Sequence, residues 1–354
     1  MRIAHIIFDL KIGGAETMLV DIANEQSQLH SVMVILVNSS FDQSVIGTLS
    51  NGVTLKRIER PEGSKNPFYL AKLYWTLLNF SPEIIHVHNA ALIDLLRPLS
   101  APTVLTVHGL NVSMPSRYRH YQAVFCISEA VRDDLQKRYP RLTTTLIYNG
   151  IRFDDVLKKQ SLNQQPFRIV QVGRIDHLIK GHDIHLRAIR RVTDKLGKEM
   201  ITVDFIGRDA GSTDYLRELA EELGISSQCR FLGPLSRQEV YKSLHQYDLL
   251  IQPSRQEGFG LTIVEAMAAK IPVLISDLRG PMEIVGNGQF GYFFKNESDA
   301  DCADKIIEII RYAGTHKSSI KLDRSFEYAL DNFDIRLTAM KYVTEYSKLL
   351  PLHG

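Results

Sequence analysis

The sequence predicts two doubly wound α/β domains, and three observations carry that prediction. Its 354 residues exceed the usual ceiling for a single core, so two domains are the default. Short apolar runs alternate with amphipathic segments along the chain, the pattern of strand and helix in turn. Near the middle, residues 154–166 carry three glutamines and little that could enter a core, which is a linker composition.

Candidate strands of the first series cover residues 2–8, 32–37, 84–88, 103–107, 123–126 and 143–147. Between the first two, Ala15, Met18, Leu19, Ile22 and Ala23 recur at helical spacing. A second series follows at 167–172, 201–206, 229–232, 249–252 and 272–275. The expected division is therefore an N-terminal domain over 1–152, a linker over 153–166 and a C-terminal domain over 167–333. A last helix is expected within 334–354. Parallel sheets with helical crossovers place ligands at the carboxyl ends of their strands, so two such sheets would use the cleft between them.

Composition narrows the class. Hydrophobic content of 44% and charged content of 23% exclude a wholly disordered or fibrous chain. Forty-two Lys and Arg against 40 Asp and Glu give +2, too balanced for a dedicated nucleic-acid binder. Cys126, Cys229 and Cys302 lie far apart without metal spacing, a pattern that suits a reducing cytosol better than a disulfide framework. The longest apolar runs fall short of the roughly 18 residues of a membrane span. The opening MRIAHIIF reads directly as a strand and leaves no room for a signal peptide, so a soluble cytoplasmic protein is expected. Charge is uneven, however: residues 56–141 hold 12 basic and 7 acidic side chains, with Arg117, Arg119, Arg132, Lys137, Arg138 and Arg141 in the last third. A solvated face explains this; so would peripheral contact with the anionic inner face of a membrane, or a diphosphate-bearing acceptor.

Strand ends are where chemistry is expected. The loop after the first strand reads DLKIGGAET, where Gly13 and Gly14 let backbone approach a ligand as a helix begins. An ordinary tight turn, with Glu16 at the positive helix end, fits equally well. His86 and His88 share one face of a strand and could chelate a metal, but no carboxylate or cysteine completes a set. His108, before Gly109, is placed to donate to a ligand oxygen, with a structural histidine as the alternative. In the second series, VGRIDHLIKG ends a strand at Gly173 and supplies Arg174 and Lys180, two cations able to neutralise a diphosphate leaving group. The segment PSRQEGFGLTIVEAMAAK is richest. Glu257 precedes Gly258-Phe259-Gly260, a loop able to offer bare backbone N–H groups, and Leu261 starts a helix that carries Glu265 one turn on. Two such carboxylates could hold hydroxyls at either end of one ligand, with a phosphate between them on the helix N-terminus.

Taken together, Gly13-Gly14 with Glu16, VGR with KG, and EGFG running into EAMA resemble the family 4 retaining glycosyltransferases over essentially the whole chain. The resemblance implies a GT-B fold, two Rossmann-like doubly wound domains facing a central cleft, with an N-terminal acceptor-binding and a C-terminal nucleotide-sugar-binding domain. It also implies that a terminal helix crosses back to the N-terminal domain. By the same resemblance, Arg174 and Lys180 hold the donor diphosphate, Glu257 the transferred sugar, and Glu265 the ribose. Gly258, Phe259, Gly260 and Leu261 meet sugar and phosphate through backbone. Gly14 lies beside the donor phosphates, Gly13, Gly14 and Glu16 face the acceptor, and His108 lies near the reacting sugar, so Glu257, His108, Arg174 and Lys180 form the catalytic set. Glu283 is expected on a loop near the donor. Lys270 departs from the family's usual Gly, in a turn expected to face away from the donor.

The implied reaction is transfer of a hexosyl group from a nucleotide-sugar to a hydroxyl on a glycan or lipid-linked acceptor, as in bacterial surface-polysaccharide, lipopolysaccharide or lipid-linked oligosaccharide synthesis. It would proceed with retention and without a metal or other cofactor, since Arg174 and Lys180 replace a divalent ion. Two alternatives share the sequence features, a non-catalytic nucleotide-sugar-binding partner subunit and a nonhydrolysing sugar-nucleotide epimerase. A nicotinamide dehydrogenase is disfavoured. Gly286, Gly288 and Gly291 spell G-x-G-x-x-G, but a helical turn precedes them and a strand follows, the reverse of the dinucleotide fingerprint.

Overall fold

The computed structural model describes residues 1–96, 99–160 and 166–351. It divides into two compact units, Met1–Gly150 with Ile335–Gly354, and Ile151–Asp334.

The first unit is built on seven parallel strands: β1 (Arg2–Ile7), β2 (Ser31–Asn38), β3 (Val53–Arg60), β4 (Ile84–Val87), β5 (Thr103–Val107), β6 (Ala123–Cys126) and β7 (Thr145–Leu146). Their order is β3-β2-β1-β4-β5-β6-β7. Central strands covered on both faces need unbroken apolar runs, and β1 obliges with five successive buried residues after Arg2. β3 escaped the strand pattern because it is an edge, VTLKRIER, with only Ile58 deeply buried. Helix Gly14–Gln26 lays Leu19 and Ala23 on Val34 and Leu36 of the sheet, as its spacing predicts. Helix Ile335–Ser347 returns to this unit and buries Tyr342 and Tyr346 completely. Their rings lie against His86 and Phe125.

The second unit has six parallel strands: β8 (Phe167–Val172), β9 (Ile201–Ile206), β10 (Cys229–Gly233), β11 (Leu249–Gln252), β12 (Val273–Ser276) and β13 (Tyr292–Phe294). They run β10-β9-β8-β11-β12-β13. Ile169, Val203, Phe205 and Leu249 form its core with Leu186 and Ile189 of helix His182–Leu196. The expected linker begins within this unit rather than before it. Phe153 and Val156 are buried, and Lys159 donates its N–H to Ala269 O at 2.9 Å. Residues 161–165 of that stretch lie outside the described residues.

Gly286, Gly288 and Gly291 follow helix Arg279–Ile284 and lead into β13, so this G-x-G-x-x-G does not open a helix. Cys126, Cys229 and Cys302 are free thiols. Among the described residues no helix is long and apolar enough to cross a membrane.

Candidate functional site

Strand order reverses in each sheet, between β1 and β4 in the first unit and between β8 and β11 in the second. The crossovers on either side of such a reversal diverge, leaving an open crevice at the carboxyl ends where ligands of doubly wound sheets bind. Gly13, Gly14 and Glu16 follow β1, Arg174 and Lys180 follow β8, and Glu257 to Glu265 follow β11, whereas His108 follows β5 and Glu283 follows β12.

In the second unit, β8 leads into Gly173 and Arg174, and β11 leads into the loop that holds Glu257. Lys180 Nζ lies 2.6 Å from Glu257 Oε2, with both side chains mostly buried. Gln252, the last residue of β11, donates to the same oxygen at 2.9 Å, and its own carbonyl accepts from Thr262 Oγ1 at 2.8 Å. One carboxylate oxygen thus takes two donors, which fixes the Glu257 rotamer and leaves Oε1 outside that pair of contacts. Arg174 is half-exposed and donates to Asp176 at 3.1 Å, beside the Lys180 pair but not part of it.

The loop itself is pinned from outside. Arg255 forks onto both oxygens of Asp183 at 2.7 and 3.0 Å and also donates to His177 O and Glu297. Burial opposes charge on Asp183, but the Arg255 hydrogen bonds win and hold its carboxyl below the usual range. Helix Leu261–Ala268 starts at Gly260, whose φ of 109° suits glycine, and Phe259 is buried against Phe333. A Cβ at Gly280 would stand 2.6 Å from Gly258 O, so a bare backbone in helix Arg279–Ile284 lets the loop settle. That helix also corrects the placement of Glu283, which was expected on a loop. Glu265 is buried, with Arg237 Nε 3.9 Å from its Oε1. Lys270 adopts φ 55° just past the helix end, where Ile271 donates to Ala266 O, and its ammonium pairs with Asp323 at 2.6 Å. It is a left-handed C-terminal turn made by a residue other than glycine.

Gly181 sets where Lys180 stands. It has φ 65°, and a Cβ there would lie 1.9 Å from Pro253 O. Gly224 has nearly the same φ, 66°, with only an ordinary contact to Arg190. Gly224→Ala should therefore cost about 1 kcal/mol from backbone strain alone. Gly181→Ala adds a collision with backbone and should cost about 3 kcal/mol or more, a fall in Tm of roughly 10 °C. Thermal melts of the two variants test this; equal losses would remove the close approach as the reason for Gly181.

In the first unit, Gly13 is extended at φ −174° and caps helix Gly14–Gln26, but the Glu16 carboxylate folds back over it. Burial raises the Glu16 pKa, and Asp9 adds to the effect. The turn is therefore covered by its own acid, which the open-backbone expectation did not foresee. His108 follows β5, and its Nε2 lies 2.9 Å from His88 Nδ1. His5 joins His86 and His88, which the sequence had paired alone, with nitrogens within 4.8 Å of one another. They are poorly disposed as metal ligands. His86 is engaged on both nitrogens, by Thr106 at 2.7 Å and Tyr346 at 2.6 Å. Its ring stacks on that of His88 at 4.3 Å, so their in-plane lone pairs run side by side rather than converge. The sequence's D-x-D, Asp299-Ala300-Asp301, is also engaged: Asp299 pairs with Arg191 at 2.7 Å, and Asp301 accepts from Lys295 N at 2.7 Å.

Several contributors were invisible to the sequence reading. Gln252 could have been found from its place at a strand's carboxyl end. Arg255, Asp183 and Gln26 carry no local signal, because each acts on a partner distant in sequence. The basic stretch is also less free than its composition implied. Arg117 lies 3.7 Å from Asp94, Arg132 lies 3.5 Å from both Glu129 and Asp133, and Arg138 pairs with Asp134.

Two parallel α/β units, with an ion pair and a glycine-led helix at a strand-order reversal of the second, define a two-domain doubly wound protein. The family model for glycosyl transferases group 1 matches residues 153–324, and that for glycosyltransferase family 4 matches residues 12–155. The chain belongs to the family 4-like GT-B glycosyltransferases. It is 25% identical to the O-antigen biosynthesis glycosyltransferase WclY of Escherichia coli, over 99% of this chain and 98% of that one. It is 29% identical to a D-inositol 3-phosphate glycosyltransferase of Corynebacterium jeikeium over 46% of this chain. The chain's matches span between 31% and 65% of the length of that protein and five other curated relatives. Among solved structures, a glycosyltransferase from Rickettsia africae superposes with a TM-score of 0.84 at 20% identity, over 99% of both chains. Anabaena HepE in complex with UDP gives 0.80 at 22%, over 98% of this chain and all of that one. These likenesses establish the fold.

Proposed function

We propose that this protein is a retaining glycosyltransferase that moves a sugar from a nucleotide-sugar to a hydroxyl of a glycan or lipid-linked acceptor in surface-polysaccharide synthesis. The observation that carries the proposal is the Lys180–Glu257 pair at 2.6 Å, held beside the Gly260 helix start at the β8/β11 reversal. It puts a cation for a leaving diphosphate next to a carboxylate for sugar hydroxyls. HepE, solved with UDP, supports a nucleoside diphosphate as the leaving group, and the full-length likeness to WclY supports a polysaccharide acceptor.

In the proposed reaction, Arg174 and Lys180 neutralise the diphosphate as the anomeric C–O bond breaks. Backbone N–H groups at the start of helix Leu261–Ala268 meet phosphate. Glu257 accepts from sugar hydroxyls and Glu265 from the ribose. The acceptor oxygen bonds to the anomeric carbon on the face the diphosphate leaves, and its proton passes to a diphosphate oxygen. No side-chain nucleophile is required, and two fixed cations do the work of a divalent ion. An α-donor should then give an α-linked product, and EDTA should leave the rate within about two-fold of its original value. NMR of the product anomer and rates with and without EDTA check this; a β-linked product or an absolute metal requirement would overturn it. Contact with an anionic membrane is the smaller part of the proposal, because Arg117, Arg132 and Arg138 already hold carboxylates of their own unit.

A further inference from the structure

Three buried side chains in the first unit, Gln26, His5 and His88, are joined in a single line to the half-buried His108. Gln26 Oε1 lies 2.8 Å from His5 Nε2, His5 Nδ1 lies 3.1 Å from His88 Nε2, and His88 Nδ1 lies 2.9 Å from His108 Nε2. The line ends at His108 Nδ1, which is covered from solvent and has no hydrogen-bond partner among the described residues. We infer that Gln26, through His5 and His88, fixes the tautomer of His108 so that its Nδ1 is a bare acceptor for a ligand hydroxyl.

Proton counting carries the inference. Burial pushes His5 and His108 down to about 4 and His88 well below its usual value, so all three rings are neutral at pH 7 and each carries one N–H. Each gap in the line holds one proton. The Gln26 carbonyl can only accept, so His5 must carry its proton on Nε2. His5 Nδ1 is then bare and must receive from His88 Nε2. His88 Nδ1 is bare in turn and must receive from His108 Nε2. A mixed arrangement would put two protons, or none, into one of the N···N gaps, at the cost of an unmade buried hydrogen bond.

The residue at the end of a helix therefore decides the polarity of an atom three hydrogen bonds away. This reverses the sequence expectation that His108 donates to a ligand oxygen. A bare acceptor accommodates a sugar or acceptor hydroxyl and disfavours a phosphate oxygen, which has no proton to give. A Cβ added at the neighbouring Gly109 would meet nothing within 4 Å, so the backbone next to His108 borders open space, while Nδ1 itself is covered. The covered Nδ1 takes a hydroxyl only when the residues over it move aside. Gln26 and His5 are positioning residues; His108 makes the contact. The identity of the hydroxyl as one on a glycosyl substrate rests on the proposed function, whereas the tautomer does not.

Imidazole ¹⁵N spectra of the ¹⁵N-histidine-labelled full chain at pH 7 test the relay without any turnover. His5, His88 and His108 should all report the Nε2–H form; a mixed set, or Nδ1–H at His108, overturns the inference. Gln26→Leu removes the directing carbonyl and should let His108 populate both tautomers. A folded variant with His108 unchanged would equally overturn it, and the wild-type spectrum decides the matter should that variant not fold. With any accepted donor, Gln26→Leu should lower kcat about ten-fold, the effect of losing one hydrogen bond, and leave nucleoside diphosphate affinity unaltered. Correct tautomers without transferase activity would leave the relay standing and sink the proposed reaction instead; correct tautomers with wild-type kcat in Gln26→Leu would sink the role of His108 as acceptor.

Discussion

Glu257→Ala should lower kcat by about 10² to 10³, the loss that follows deletion of one preorganised electrostatic partner. Contacts from a carboxylate to the transferred sugar tighten as positive charge builds at the anomeric carbon, so the deficit belongs in kcat rather than in donor KM. The geometry sharpens the expectation for binding. Lys180 Nζ sits 2.6 Å from Glu257, so removing the carboxylate frees the ammonium, and affinity for free nucleoside diphosphate should hold or rise. Lys180→Ala and Arg174→Ala should lose both kcat and that affinity. Glu265→Ala should act chiefly on donor KM, because ribose hydroxyls are held alike in the ground and transition states. Steady-state kinetics with an accepted donor, calorimetric titration with the nucleoside diphosphate, and a melting curve for each variant separate these cases. A fully active Glu257→Ala enzyme would remove the core of the reading, and four variants that lost only melting temperature would make the pair structural.

Acidification should destabilise the protein well before its carboxylates titrate. Burial holds His5, His108 and His182 neutral down to about pH 4 and His185 to about pH 3, with His86 and His88 also far below their usual value. In the unfolded chain the same groups protonate near pH 6.5. Below that point the unfolded state binds more protons, so stability is complete above about pH 7 and drains away as pH falls toward 4. At pH 5.5 each group contributes roughly 1.4 kcal/mol of destabilisation, and several together rival the whole margin of a domain. Tm at pH 5.5 should sit on the order of 10 °C or more below its value at pH 7.5. Four of these histidines belong to the first unit, which should melt first in calorimetric scans. A flat profile from pH 7.5 to 5.5 would show that the rings charge without cost.

Acidic loss of activity should follow the same histidines. Protonating a ring of the Gln26–His5–His88–His108 line would place a second N–H where an acceptor is required, but the folded His5 and His108 stay neutral to about pH 4, so acid loss of activity above that point should track unfolding.

Local chemistry determined much of this protein. Apolar runs buried on both faces had to become central parallel strands, and the amphipathic segments between them had to become crossover helices, so the two-sheet architecture was legible in periodicity alone. Gly173, Lys180 and the EGFG turn were legible too, because a strand end, a glycine and a helix start follow one another along the chain. What the sequence could not state was anything that depends on register between distant segments. β3 hid because an edge strand needs only one buried side chain, and Glu16 over Gly13 was a matter of rotamer. Residues 153–160 looked like a linker because their few apolar side chains, Phe153 and Val156, find partners only once the second unit has formed. The Lys180–Glu257 contact spans 77 residues and the His5–His88 contact 83, so only the folded sheets could bring those atoms together. Spacing along a chain sets which residues share an element; the order in which strands pair decides which side chains share a proton.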